Sequence, residues 1–185
     1  MMVIMSPHIA AFLNALPSSD VNFDEGQIVF ARGDVVSKLY MVTYGELHLM
    51  RHHSDGAVVI VQRAGPGDIL AEASLLADRY HCDAIAAEPT RVRYFSRRTL
   101  KARLADDTDF AQAWIAHLGR EVQAARLRIE ILSLKTVAAR LDAWLGWHDI
   151  ALPAKGARKS IAEEIGVSPE ALYREFGRRR LTASS

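Results

Sequence analysis

The sequence predicts an α+β chain in three parts: an all-β barrel or roll, one long helix, and a small all-α domain at the C-terminal end. Three observations carry this. Between Val21 and Ser96, short apolar alternations are punctuated by Gly26, Gly33, Gly45, Gly56 and Gly65-Pro66-Gly67, the pattern of many short strands joined by turns. Apolar residues then fall at Ala111, Ile115, Leu118, Val122, Ala125, Ile129 and Leu132, in alternating steps of 4 and 3. Finally, Ala162, Gly166 and Leu172 supply the small residue, the turn glycine and the apolar anchor that a helix-turn-helix needs, with Ile161, Ile165 and Val167 completing its core.

Composition sets bounds. Half of the 185 residues are apolar, enough for one ordinary core and a smaller satellite. No run approaches the roughly 18 apolar residues of a membrane span, and MMVIMSPHIAAFLNALP lacks the basic start of a secretory signal, so a cytoplasmic protein that engages no membrane is expected. The single Cys82 excludes an internal disulfide framework and a four-cysteine zinc or iron–sulfur site within one chain. The net charge of +1 is unevenly divided: residues 1–132 hold 14 basic and 16 acidic side chains, residues 133–185 hold 9 and 6. A basic C-terminal third suits a polyanionic partner, although a solvated basic face has the same composition.

Taken in order, Pro7 to Leu16 reads as a short amphipathic helix and the glycine-punctuated stretch as about eight strands closing into a barrel or roll. Arg98 to Leu104 starts helically, Asp106-Asp107 breaks the run, and the long helix follows. Its heptads place Ile115, Val122 and Ile129 at a, and Leu118, Ala125 and Leu132 at d, which favours a parallel two-stranded coil. Glu121 at g would face Arg126 at e of a second copy. A helix packed on its own domain is the alternative reading of the same spacing. Leu134 to Trp147 is a second helix, Ala151 to Gly156 a linker, Lys159 to Gly166 a short helix, and Pro169 to Arg180 the last, with Ser168 as its N-cap. The expected domains are 1–107, 108–133 and 134–185.

The series FDEGQIVFARGDVVSKLYMVTYGELHLMR, then DGAVVIVQRAGPGDILAEASLL, then CDAIAAEPTRV, resembles the cyclic-nucleotide-binding β-roll of the CRP/FNR superfamily of bacterial transcription regulators over about residues 20–100. The resemblance implies a double-stranded, jelly-roll-like β-roll, a dimerisation helix where the heptads lie, and a C-terminal helix-turn-helix. In nucleotide-binding members a glutamate holds the ribose, and an arginine and a serine about ten residues later hold the cyclic phosphate. By position, Glu72 matches the glutamate, but Cys82 and Asp83 stand where arginine and serine belong, and Ala71 replaces a glycine. A carboxylate about 4 Å from a phosphate costs about 4 kcal/mol at intermediate dielectric, so control by a cyclic nucleotide is not expected.

The effector pocket implied by the resemblance comprises Glu72, Ser74, Cys82 and Asp83. Haem is the second ligand class, because some members of the superfamily bind it and His81-Cys82 carry suitable donor atoms. Adjacent strand residues point to opposite faces, however, which argues against one iron and for a structural, buried Cys82. His48, His52 and His53 read more simply as part of a polar hairpin than as a metal site. An unidentified small effector and no effector at all both stay open. Catalysis is not expected: Ser74, His81 and Asp83 lie close in sequence, but no nucleophile elbow or oxyanion glycine run accompanies them.

The family's recognition motif often reads Ser-Arg-Glu-Thr-Val-x-Arg, and Ser168-Pro169-Glu170-Ala171-Leu172-Tyr173-Arg174 matches its serine, glutamate, apolar and final arginine positions. Glu170 suits a cytosine amino group and Arg174 the O6 and N7 edge of guanine, while Ser168, Tyr173, Arg178, Arg179 and Arg180 suit phosphates. For the three arginines, a solvated helix end that balances the dipole is the alternative reading. Glu175 departs from the family's apolar position, and a full wing is not expected before Ser185. The partners implied are double-stranded DNA, a second copy of the chain and RNA polymerase. The alternative function is a dimeric sensor or interaction protein that has lost sequence-specific DNA binding.

Overall fold

The structure, a computed structural model, describes residues 7–149 and 158–182. The linker expected at Ala151 to Gly156 lies outside the described residues. The chain divides into two compact units, one ending at Gly119 and the other beginning at Arg120. The long helix, expected as a segment of its own, is shared between them.

The first unit opens with α1 (Pro7–Asn14) and continues into eight strands: β1 (Ser19–Phe23), β2 (Ile28–Phe30), β3 (Lys38–Tyr44), β4 (Leu47–His52), β5 (Val58–Ala64), β6 (Ile69–Leu70), β7 (Asp83–Ala86) and β8 (Thr90–Ser96). They form two four-stranded sheets, ordered β1-β8-β3-β6 and β2-β7-β4-β5, with antiparallel pairing throughout. This is the expected double-stranded roll. Leu39, Tyr40, Met41 and Val42 are buried in succession on β3, the signature of a strand covered on both faces. Ile9 and Leu13 of α1, Leu100 of α2 (Arg97–Asp106), and Phe110 and Trp114 of α3 (Thr108–Ser133) belong to the same core cluster.

One turn shows why the glycine pattern is so readable. Gly45 adopts φ +80°, and a Cβ there would meet the Pro89 carbonyl oxygen and Thr90 Oγ1 at 2.5 Å. The Thr90 hydroxyl, buried beside it, donates to the Glu46 carbonyl at 3.0 Å and accepts from the Glu46 N–H at 3.1 Å, pinning the β3–β4 turn to the start of β8. Only glycine fits there.

The second unit holds the C-terminal half of α3, α4 (Val137–His148), α5 (Arg158–Glu164) and α6 (Pro169–Thr182) around its own core of Ile131, Leu141, Trp144, Leu145, Ile161, Ala162, Ile165, Leu172 and Phe176. The expected start of α4 at Leu134 is three residues early. Thr136 is the N-cap, its Oγ1 accepting from the Ala139 N–H at 3.1 Å, and residues 134–136 form a break that apolar periodicity cannot reveal. Between α5 and α6, Gly166 takes φ +65°, the left-handed conformation of a tight helix-turn-helix corner. Among the described residues, no helix is long and apolar enough to cross a membrane.

Candidate functional site

Three groups of side chains were expected to carry function, and each is placed differently. On α3, Phe110, Trp114 and His117 are buried at steps of 4 and 3 within the first unit, while Leu127 and Ile131 pack into the second core. The heptad positions occupy another face. Ile115 is 68% exposed, Val122 48%, Ile129 66% and Leu132 45%, with Ala125 also exposed and Leu118 half-buried. The helix therefore carries two apolar stripes, one spent within the chain and one presented to solvent except at Leu118, which packs against the first core. Arg126 is exposed, whereas Glu121 is half-buried: burial raises its carboxyl above the usual range, and Arg120 and Arg128 of the same chain act in the opposite direction.

In the roll, Glu72 and Ser74 lie on a 3₁₀ turn, Glu72–Ser74, entered through Ala71 at φ +67°. The glycine that the resemblance places at Ala71 would adopt this conformation at less cost. The buried Ser74 hydroxyl lies 3.0 Å from His81 Nδ1. Burial, then the nearby Arg51 charge, hold the His81 imidazole below its ordinary value. Cys82 is buried while His81 is exposed, in keeping with the expected opposite orientation of the pair. The Cys82 sulfur accepts from Arg51 Nε at 3.4 Å. Asp83 is turned to structural use, its Oδ1 accepting from the Arg32 N–H at 2.7 Å and its Oδ2 lying 3.7 Å from His52 Nε2. Ser74 and His81 thus come together, but the Asp83 carboxylate is occupied by Arg32. His48 sits with Glu46 and Arg63 across β4 and β5, and the described residues contain no cluster of three metal-ligating side chains.

In the second unit, Ser168 caps α6, its Oγ accepting from the Ala171 N–H at 3.2 Å. Glu170, Tyr173 and Arg174, at steps of 3 and 1, lie on one exposed face of that helix. Its own backbone N–H and the Ser168 hydroxyl hold the Glu170 carboxyl below the usual carboxylate range. Arg158 lies over the rings of Phe176 and Tyr173, its guanidinium 4.8 and 5.7 Å from the centroids.

The three terminal arginines separate. Arg178 pairs with Glu175 at 2.8 Å and remains mostly exposed, and Arg180 lies 3.4 Å from the Phe176 carbonyl. Arg179, expected to hold phosphate, is taken up inside the unit: it pairs with Glu175 at 2.8 Å and Asp142 at 2.7 Å and donates to the Ala138 carbonyl at 3.1 Å, tying α6 to α4. This accounts for Glu175 at an otherwise apolar position. Burial pushes its carboxyl up, and hydrogen bonds from Arg179 and Arg178 outweigh that and leave it below the ordinary value.

Sequence reasoning missed two polar ties in this unit. Trp144 Nε1 donates to Glu164 at 2.7 Å, joining α4 to α5, and Arg140 donates to four backbone carbonyls. A signal for Arg140 exists: it stands three residues after Val137 and four before Trp144, on the apolar stripe of α4.

With this geometry in view, residues 20–107 match the family model of the cyclic nucleotide-binding domain. The chain is 29% identical to the nitrogen fixation regulation protein FixK of Bradyrhizobium diazoefficiens, over 84% of this chain and 69% of that one. It is 28% identical to the cyclic AMP receptor protein of Thermus thermophilus, over 64% of this chain and 56% of that one, so it spans little more than half of that relative. In fold it is similar to FixK2 of Bradyrhizobium japonicum, with a TM-score of 0.70 at 21% identity, covering 91% of this chain and 87% of that one. Residues 20–107 thus resemble a cyclic nucleotide-binding domain, and the chain is similar to transcription regulators of the CRP/FNR type.

Proposed function

We propose that the chain is a cytoplasmic homodimer that binds double-stranded DNA through α6 and regulates transcription. The observation that carries this is the solvent-facing heptad stripe of α3, sustained through Leu132 into the unit whose last helix presents Glu170, Tyr173 and Arg174. Pairing the stripe with its copy, at Ile115, Leu118, Val122, Ala125, Ile129 and Leu132, gives two recognition helices related by a two-fold axis. Two such helices read half-sites roughly 34 Å apart. Arg174 and Glu170 read base edges, while Ser168, Tyr173, Arg178 and Arg180 hold phosphates. RNA polymerase would then be contacted from the bound dimer.

Control by a cyclic nucleotide is not part of this reading. Asp83 and Cys82 occupy the positions of the phosphate-binding serine and arginine, and the Asp83 carboxylate is committed to the Arg32 N–H. The test is selection of a binding site from a random DNA pool, followed by salt-titrated binding to the selected site and to scrambled DNA, with and without cyclic AMP or cyclic GMP. The expected result is discrimination of about 10³-fold or more that neither nucleotide changes. Equal affinity for both DNAs would leave a dimeric interaction protein instead, and nucleotide-dependent binding would restore the roll as a nucleotide sensor.

A further inference from the structure

We propose that Arg140 is the positioning residue that couples pairing of α3 to the attitude of the recognition helix, an inference that rests on the DNA-binding reading above. Its guanidinium donates from Nε to the Leu134 carbonyl at 2.8 Å and from Nη2 to the Leu132 carbonyl at 3.0 Å. From Nη1 it donates to the Ile165 carbonyl at 3.0 Å and the Gly166 carbonyl at 2.9 Å. Leu132 and Leu134 flank the end of α3, while Ile165 and Gly166 form the corner between α5 and α6. The terminal carbonyls of a helix lack intrahelical donors and carry the negative end of its dipole. Here carbonyls at and just beyond the ends of α3 and α5 converge on one cation, and a planar fork with five N–H groups is the side chain that can serve both.

An apolar contact runs alongside. Leu132 is the last residue of the heptad stripe, and a Cβ built on Gly166 would lie 2.6 Å from its Cδ2. The residue expected to close the dimer seam therefore also touches the helix-turn-helix corner. A change in how α3 pairs is passed to that corner by Leu132 in packing and by Arg140 in hydrogen bonds. Lysine retains the charge of Arg140 but is a point donor on a flexible stem and cannot span four carbonyls in two directions.

The test uses the full chain as wild type, Arg140→Lys, Val122→Asp and the double variant. Val122 is 48% exposed and distant in sequence from the corner, so its substitution opens the seam without touching the carbonyls Arg140 holds. Amide hydrogen exchange is read at residues 165–168. In wild-type background, Val122→Asp is expected to accelerate exchange there about tenfold, and in the Arg140→Lys background less than about twofold. Arg140→Lys is further expected to keep the dimer and the affinity for scrambled DNA while lowering discrimination for the selected site about tenfold. Acceleration that is the same in both backgrounds, or absent in wild type, overturns the coupling. If wild type itself fails to discriminate between DNAs, the DNA-binding reading falls, and the exchange comparison still decides whether Arg140 couples the two elements. A far-UV melt of each variant separates loss of coupling from loss of folding; if Arg140→Lys unfolds, Arg140→Gln takes its place in the same comparison.

Discussion

Val122→Asp is expected to convert the protein from a dimer to a folded monomer at micromolar concentration. Val122 holds an a position in the middle of the α3 stripe and is 48% exposed in the single chain, so the substitution removes little from either core. In a paired helix it loses the burial of an aliphatic side chain in each copy, about 1.5–3 kcal/mol per chain, and sets two carboxylates against each other. The combined loss of roughly 3–6 kcal/mol raises the dissociation constant about 10²–10⁴-fold. Sedimentation equilibrium measures this directly. An unchanged mass for the variant would place the interface on another surface, and a variant that no longer folds as a monomer would return Val122 to an intrachain core.

Arg174→Ala is expected to cost about 1–3 kcal/mol in binding to the selected site and to relax preference at one guanine in each half-site. Arg174 is exposed on α6 and charge-complementary to Glu170 one turn earlier, so its removal leaves Leu172 and Phe176 packed in the core and the helix intact. Arg178 offers the contrast. It is exposed and bound to Glu175, and a phosphate-holding role predicts a uniform weakening on all sequences with a shallower salt dependence. Titrations of the two alanine variants on selected and scrambled DNA separate base reading from phosphate contact. Unchanged discrimination in Arg174→Ala would remove it from the base-reading role.

The roll was legible in the sequence because its turns demand glycine for steric reasons. Gly45 shows the constraint in full, with positive φ and no room for a Cβ against Pro89 and Thr90. The break before α4 was not, because Leu134 continues the apolar pattern and the cap at Thr136 is a single hydrogen bond. On α3 the heptad residues were plain, while the buried stripe through Phe110, Trp114 and His117 was hidden behind them: two faces of one helix share a period. Side-chain allegiance was the hardest to read. Nothing in Arg178-Arg179-Arg180 says that the middle residue turns inward to Asp142 and Ala138 while its neighbours do not. Likewise, Asp83 reads as an obstacle to a phosphate, and only the folded chain shows what it binds, the N–H of Arg32 across 51 residues.

A two-fold DNA reader makes a demand on geometry that no single recognition helix makes, and half-site spacing tests it most directly. The selected site is compared with versions carrying five or ten extra base pairs between its half-sites, at fixed salt, with the protein-to-DNA stoichiometry measured alongside. Two chains per site are predicted, with affinity falling about 10²-fold or more for both insertions, because pairing through α3 would hold the recognition helices roughly 34 Å apart. One chain per site, with affinity indifferent to the insertions, would contradict the account.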